Sequence, residues 1–197
     1  MEEEIILFEE QKPASNPLDK YRNVIFLSVV ILLLGVSLAL VLSLTPPETG
    51  LIINEVVLSN SGCLEEASLG TPDWLELYNS SDHAISLSGY GLSTHSSTPY
   101  LFTFPEVTIE AGEYLIIYFA GDTDLGSSEL ICTGYTLSRS GETVYLSSNV
   151  QELLEIIEVP ALESDMSYAR RDDGSYGYCL SPTPGRANTT EIVDDLA

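Results

Sequence analysis

The sequence predicts an all-β head of the sandwich type, preceded by one transmembrane helix. Three observations predict it. Residues 24–44 form an uninterrupted apolar run with neither a charge nor a proline. From residue 51 to about residue 186, short apolar runs alternate with turn residues every 8–15 positions, the spacing of a sandwich. Over that same region no helical period is sustained.

Composition narrows the function classes. The 197 residues include 30 acidic and 7 basic side chains, a net charge of −23. Phosphate binding needs clustered Lys and Arg, so this balance argues against nucleic acid as a partner. Hydrophobic residues make up 44% and charged residues 19%, which argues against a wholly disordered chain. Mean hydropathy of +0.14 is high for so acidic a chain, and the apolar run at 24–44 accounts for it. Two His and three Cys leave little material for a zinc site or a His-dependent reaction. The composition favours an anchored binding or structural module over an enzyme.

The elements follow in order. Residues 1–23 read as a short cytoplasmic tail with six acids and three bases. The run from Val24 to Leu44 has 21 residues. At ~1.5 Å per residue it spans about 31 Å, the thickness of a hydrocarbon core. Lys20 and Arg22 precede it and no base stands in 45–50, so the positive-inside rule places the N-terminus in the cytoplasm and the rest outside. The acidic start is a poor leader for a cleaved signal peptide. The membrane is thus an expected partner through 24–44. Residues 45–50, with Pro46 and Pro47, read as a stiff stalk.

Residues 51–188 form the expected sandwich, and 189–197 an acidic tail. With the stalk, this outer part carries 24 acids and 4 bases. Candidate strands are 51–58, 74–78, 84–87, 91–94, 100–104, 114–119, 143–146 and 153–159. Turn signals lie at 79–82, 110–112, 138–141 and 172–174, where Gly supplies positive φ and Asn, Asp or Ser bonds nearby backbone. Two long loops, 60–72 and 121–129, are functional or mobile. In 73–79, Leu75 and Leu77 share one face and Trp74, Glu76 and Tyr78 the other. The Glu76 face is expected to be partly solvated. The YLIIYF run at 114–119 is apolar on both faces and predicts a central, doubly covered strand.

The pieces LIINEV (51–56), DWLELYN (73–79), LSGYGL (87–92), FTFP (102–105), IEAGEYLIIY (109–118), YTLSRSGETVYL (135–146), SYAR (167–170) and PTPGRAN (182–188) occur in this order. Together they resemble the lamin tail domain family, most closely its bacterial branch. The resemblance implies an immunoglobulin-like β-sandwich and a binding or scaffolding role. It implies structural motif positions at Asn54, Glu55, Asp73, Trp74, Glu76, Asn79, Gly89, Pro105, Gly112, Gly141, Pro184, Gly185 and Asn188. Bacterial members sit in membrane or exported proteins, sometimes beside nuclease, phosphatase or spore-coat-kinase-like domains. No heptad rod is present, so the filament role of nuclear lamins does not carry over.

Catalytic chemistry finds little support. A hydrolase triad needs Ser or Cys near His and an acid. His83 and His95 lie in turn sequences, and no G-x-S-x-G, P-loop or G-x-G-x-x-G is present. No catalytic residue, cofactor or metal ligand is assigned. Calcium remains admissible but unsupported: Glu65 with Glu66, Asp122 with Asp124, Asp172 with Asp173 and Asp194 with Asp195 lack the spacing of a calcium loop. Outside the cytoplasm a thiol pair oxidises. Cys63, Cys132 and Cys179 permit three single bridges, of which Cys132–Cys179 is favoured. Arg139, Arg170, Arg171 and Arg186 are expected ion-pair partners within the sandwich. The expected function is a membrane-anchored, extracytoplasmic, non-catalytic binding or scaffolding module. Its ligand would be a protein or an envelope glycan. The alternative is an accessory or signalling subunit of a separately encoded enzyme.

Overall fold

A computed structural model describes residues 21–44, 50–121, 130–188 and 191–196. The chain divides into two units, Met1–Thr45 and Pro46–Ala197.

In the first unit, helix α1 covers Arg22–Leu44. Over 23–37 apolar side chains surround it without a polar face. Its large side chains are open to the surroundings, Phe26 being 71% exposed and Leu32 66%. Ser28 returns its hydroxyl to the Val24 carbonyl at 2.9 Å, the usual way a hydroxyl is satisfied within a helix. Side chains are described for 23–37. Among the described residues no helix is long and apolar enough to cross a membrane.

The second unit is a two-sheet β-sandwich with a small two-stranded ribbon. Its strands are β1 (Leu51–Val57), β2 (Asp73–Asn79), β3 (Ile85–Ser86), β4 (Gly91–Ser93), β5 (Phe102–Thr103), β6 (Thr108–Ile109), β7 (Tyr114–Phe119), β8 (Ile131–Cys132), β9 (Glu142–Ser147), β10 (Leu153–Val159), β11 (Ser167–Arg170), β12 (Tyr176–Cys179) and β13 (Ile192–Val193). The large sheet runs β13-β12-β11-β1-β2-β7-β8, the smaller one β10-β9-β4-β5, and β3 pairs with β6. Only β7 and β8 pair in parallel.

All eight expected strands form, two with the expected bounds and six shifted by a residue or two at an end. β6, β8, β11, β12 and β13 had no counterpart. Three of them are two residues long, too short for a period. β11 (SYAR) and β12 (YGYC) mix small and aromatic residues without apolar alternation. The expected acidic tail also changes character, since Ile192 pairs with Cys179 and Val193 with Tyr178.

The core lies between the sheets. Ile53, Val56, Leu75, Leu77, Ile117 and Phe119 of the large sheet meet Leu92, Val144, Leu146 and Ile157 of the smaller one, all buried. Burying such a side chain is worth about 1.5–3 kcal/mol each. Tyr176 and Arg170 close one end. Arg170 bonds Glu155 at 3.0 Å, and the Tyr176 hydroxyl donates to the Ile53 carbonyl at 2.5 Å.

The large sheet is also covered on its other face at Trp74 and Glu76, which corrects the expectation of a partly solvated Glu76 face. Trp74 and Glu76 are both 0% exposed. Returning chain segments cover them. β7 is doubly covered only in its second half, where Ile117, Tyr118 and Phe119 are buried.

Candidate functional site

The outer face of the large sheet reads as three cross-strand rows. Register places Ile52 opposite Tyr78, Glu55 opposite Glu76 and Val57 opposite Trp74. β7 extends the rows with Tyr114, Ile116 and Tyr118 respectively. β8 adds Cys132 beside Tyr118.

The middle row is polar because β1 bulges. The register shifts between Ile53 and Glu55, so Asn54 is the extra residue. Strict alternation would send Glu55 into the core. The bulge turns it outward beside Asn54. Both glutamates then hold the closing segment 182–188. Glu55 accepts the Thr183 N–H at 2.9 Å, the Thr183 hydroxyl at 3.2 Å and the Ser167 hydroxyl at 2.5 Å. Glu76 accepts the Gly185 N–H at 2.5 Å and the Asn54 amide at 2.8 Å. Asn188 donates to the carbonyls of Asn54 (3.0 Å) and Arg170 (2.9 Å), and it accepts from Thr183 Oγ1 at 3.0 Å.

The closing segment has the right shape for this. Arg186 N–H bonds the Thr183 carbonyl at 3.3 Å. Pro184 and Gly185 are the central residues, and Gly185 has φ +75°. That is the type II pattern, with Pro at the second position and Gly at the third. The turn points the Gly185 N–H at Glu76.

Burial governs the electrostatics of this pair. Desolvation pushes Glu76 up to about 7, against the Gly185 and Asn54 donors that pull it down. Glu55 is raised for the same reason, opposed by Ser167 and Thr183. The carboxyl environment disfavours charge more than the donors favour it.

The third row is covered by the loop 60–72. Val57, Trp74 and Tyr118 form a small cluster with Cys63, Leu64, Leu69 and Cys132 packed against it. Asn60 ties the loop by accepting from Gly62 and donating to the carbonyls of Leu64 and Pro72. Asp73 accepts the Asn60 N–H at 2.9 Å. Desolvation raises Asp73 against that bond. Asp165 gathers the N–H groups of Ser61, Gly62 and Cys63 at 2.7–3.1 Å, which hold its carboxyl below the usual range. Trp74 Nε1 is buried without an oxygen or nitrogen partner and has the Cys63 thiol as neighbour. Burial pushes that thiol up to about 11, so Cys63 stays protonated at neutral pH.

The remaining motif residues lie in turns or at strand ends. Asn79 donates to the carbonyls of His83 and Ile109 and accepts from Ser81 N–H at 3.0 Å. Gly89 lies in the turn closed by Tyr90 N–H on the Leu87 carbonyl, and Pro105 is exposed after β5. Gly112 and Gly141 sit in the turns before β7 and β9.

The pair Cys132–Cys179 is not bridged, which corrects the favoured disulfide. Cys132 is in β8 at one edge and Cys179 in β12, five strand steps away in the sheet order. At ~4.8 Å per step that is about 24 Å, where a disulfide needs Cα atoms within about 7 Å. Among the bases, Arg139 pairs with Glu163 at 3.1 Å, Arg170 with Glu155 and Arg171 with Asp194 at 2.7 Å.

Neither histidine enters a buried constellation. Exposed His83 bonds Asp82 at 3.0 Å and His95 bonds Thr94 at 3.0 Å. Among the described residues no three His, Cys, Asp or Glu are grouped to hold a metal ion. Asp122, Asp124 and the loop around them lie outside the described residues, as do the tail 1–20 and the stalk residues 45–49.

The first row is different. Ile52, Tyr78 and Tyr114 are only half-buried. Tyr78 and Tyr114 stack at 4.5 Å between ring centroids. Over this row opens a cavity of about 550 Å³. Asn54, Asn188 and the β11–β12 turn with Asp172 and Asp173 also line it. Sequence reasoning missed this site. The outward parity of Tyr78 was legible, but its pairing with Tyr114 and Ile52 needs the register.

The family model for the Lamin Tail Domain matches residues 45–160. The match ends before β11, yet register joins β11 to β1 and β12 to β11 in the same sheet. No curated protein matches the chain. With the motif side chains of 51–159 placed in an immunoglobulin-like sandwich and the family model covering most of it, the chain belongs to the lamin tail domain family.

Proposed function

We propose that the chain is a membrane-anchored, extracytoplasmic binding or scaffolding module of the bacterial type, with no catalysis of its own. The observation that carries the binding role is the open first row. Two rows of the outer face are covered by the chain's own segments. The Ile52–Tyr78–Tyr114 row, beside them, lies under a ligand-sized cavity. Half-buried tyrosines on a rigid sheet are good anchors, because they bring large contact area at low entropic cost.

Anchoring is supported by the helix Arg22–Leu44, 23 residues long, and by a sequence at 24–44 with neither a charge nor a proline. At ~1.5 Å per residue its backbone extends about 34 Å. Lys20 and Arg22 before it support an inside N-terminus.

One experiment tests both parts. A photo-crosslinking residue replaces Tyr78, Tyr114 or, as a control, Glu106, in full-length chain displayed on cells. The expected result is adducts from 78 and 114 but not 106, on chain that resists alkaline carbonate extraction and is trimmed by external protease. Chain released by carbonate would sink the anchor. Adducts absent at 78 and 114 would sink the binding role.

A further inference from the structure

Two bases and two acids line the cavity over the first row, Arg170, Arg171, Asp172 and Asp173. Its basic neighbours are already engaged. Arg171 bonds Asp194 at 2.7 Å and the carbonyls of Tyr176 and Ile192. Arg170 turns to Glu155 and Tyr176. The carboxylates are less so. Asp173 uses one oxygen on Ser175 N–H and Oγ. Asp172 is exposed and has no partner among the described residues. The outer part of the chain carries 24 acids against 4 bases.

An anion finds no available base there and is repelled by the surrounding field. A neutral ligand could stack on a tyrosine but would leave the carboxylates unused. A cation uses the groups that the two paired arginines leave over: the ring faces attract it, the carboxylates give charge-assisted bonds, and the acidic head steers it in. The protein already contains this arrangement internally. The Arg170 guanidinium carbon lies 5.6 Å from the Tyr176 ring centroid while the same group bonds Glu155 at 3.0 Å.

We propose that this cavity receives a basic side chain, Lys or Arg, from an extended segment of a protein partner. The proposal rests on the binding-module reading and specifies its ligand. The basic group lies against Tyr78 and Tyr114 and reaches Asp172. A volume of about 550 Å³ exceeds what one guanidinium fills, so flanking residues of the segment enter as well.

The test is calorimetric titration of the full-length chain, in uncharged detergent, with a hexa-arginine peptide. A neutral chitohexaose is titrated in parallel. Asp172→Asn is expected to weaken the peptide about tenfold, the effect of losing one charge-assisted contact. Tyr78→Leu weakens it too. Glu106→Gln, an exposed carboxylate away from the cavity, changes it less than about twofold. Equal loss in Asp172→Asn and Glu106→Gln means diffuse attraction and overturns the proposal. So does chitohexaose binding that Tyr78→Leu abolishes while hexa-arginine does not bind. In either of those cases, adducts from positions 78 and 114 that Asp172→Asn leaves unchanged keep the binding role and reject only its cationic ligand.

Discussion

Glu55 and Glu76 lie directly opposite each other, buried, and hydrogen-bonded among the described residues only to neutral groups. The pair gives the head a pH dependence whose sign is set by burial. Glu76 is raised to about 7 from 4.5, so the folded state holds its proton more tightly than the unfolded chain does. Its favourable contribution is full below about pH 4.5 and is lost as pH rises through about 7, a change of about 3 kcal/mol at most. Glu55 acts in the same direction. Urea unfolding of the full-length chain at pH 5 and pH 8 measures this. The difference between the two is expected to shrink by about 2–3 kcal/mol in Glu76→Gln. An unchanged difference would show that Glu76 titrates normally. Asn188 is the other residue on which the closure depends. Asn188→Ala removes bonds to Asn54, Arg170 and Thr183. It should cost about 2–3 kcal/mol and lower Tm by about 10 °C in calorimetry.

The elements that decide the outer face are a bulge and two returning segments. The bulge at Asn54 turns two adjacent polar residues, Asn54 and Glu55, to the same outer face. The closing turn then needs Gly185 at φ +75°. Gly185→Ala strains that turn and withdraws the N–H from Glu76, at a cost of about 1 kcal/mol or more. Its effect should be smaller in a Glu76→Gln background, since the two act on one bond. Additive losses in the double mutant, read from thermal unfolding, would show that the turn and the glutamate work separately. The loop 60–72 is held by Asn60 and Asp165 and has the Trp74 cluster beneath it.

Across the whole head, the sheet order separates what the sequence leaves close in expectation. Cys132 and Cys179 belong to strands five steps apart. Peptide mapping of unreduced chain should therefore recover no fragment joining them. A recovered Cys132–Cys179 fragment would require a different strand order. The same sheet, with the β11–β12 turn, brings residues 52, 78, 114 and 172 around one cavity. The acidic excess surrounding it makes any cationic ligand's association fall with salt.

The sequence alone determined what depends on neighbours. The apolar stretch at 24–44 became helix α1, and the runs at 51–58, 74–78, 114–119 and 153–159 became β1, β2, β7 and β10. Asn79 was readable because it bonds the backbone two residues ahead. The order of motif pieces was enough to indicate the sandwich. Only the tertiary structure decided that Glu76 is buried, since the groups that cover and bond it come from Gly185, 109 residues along the chain. It alone decided that Ile192 and Val193 finish a sheet and that two tyrosines meet in a stack. Period and turn chemistry are local, whereas cross-strand register and the return of a distant segment are set by packing over the whole core.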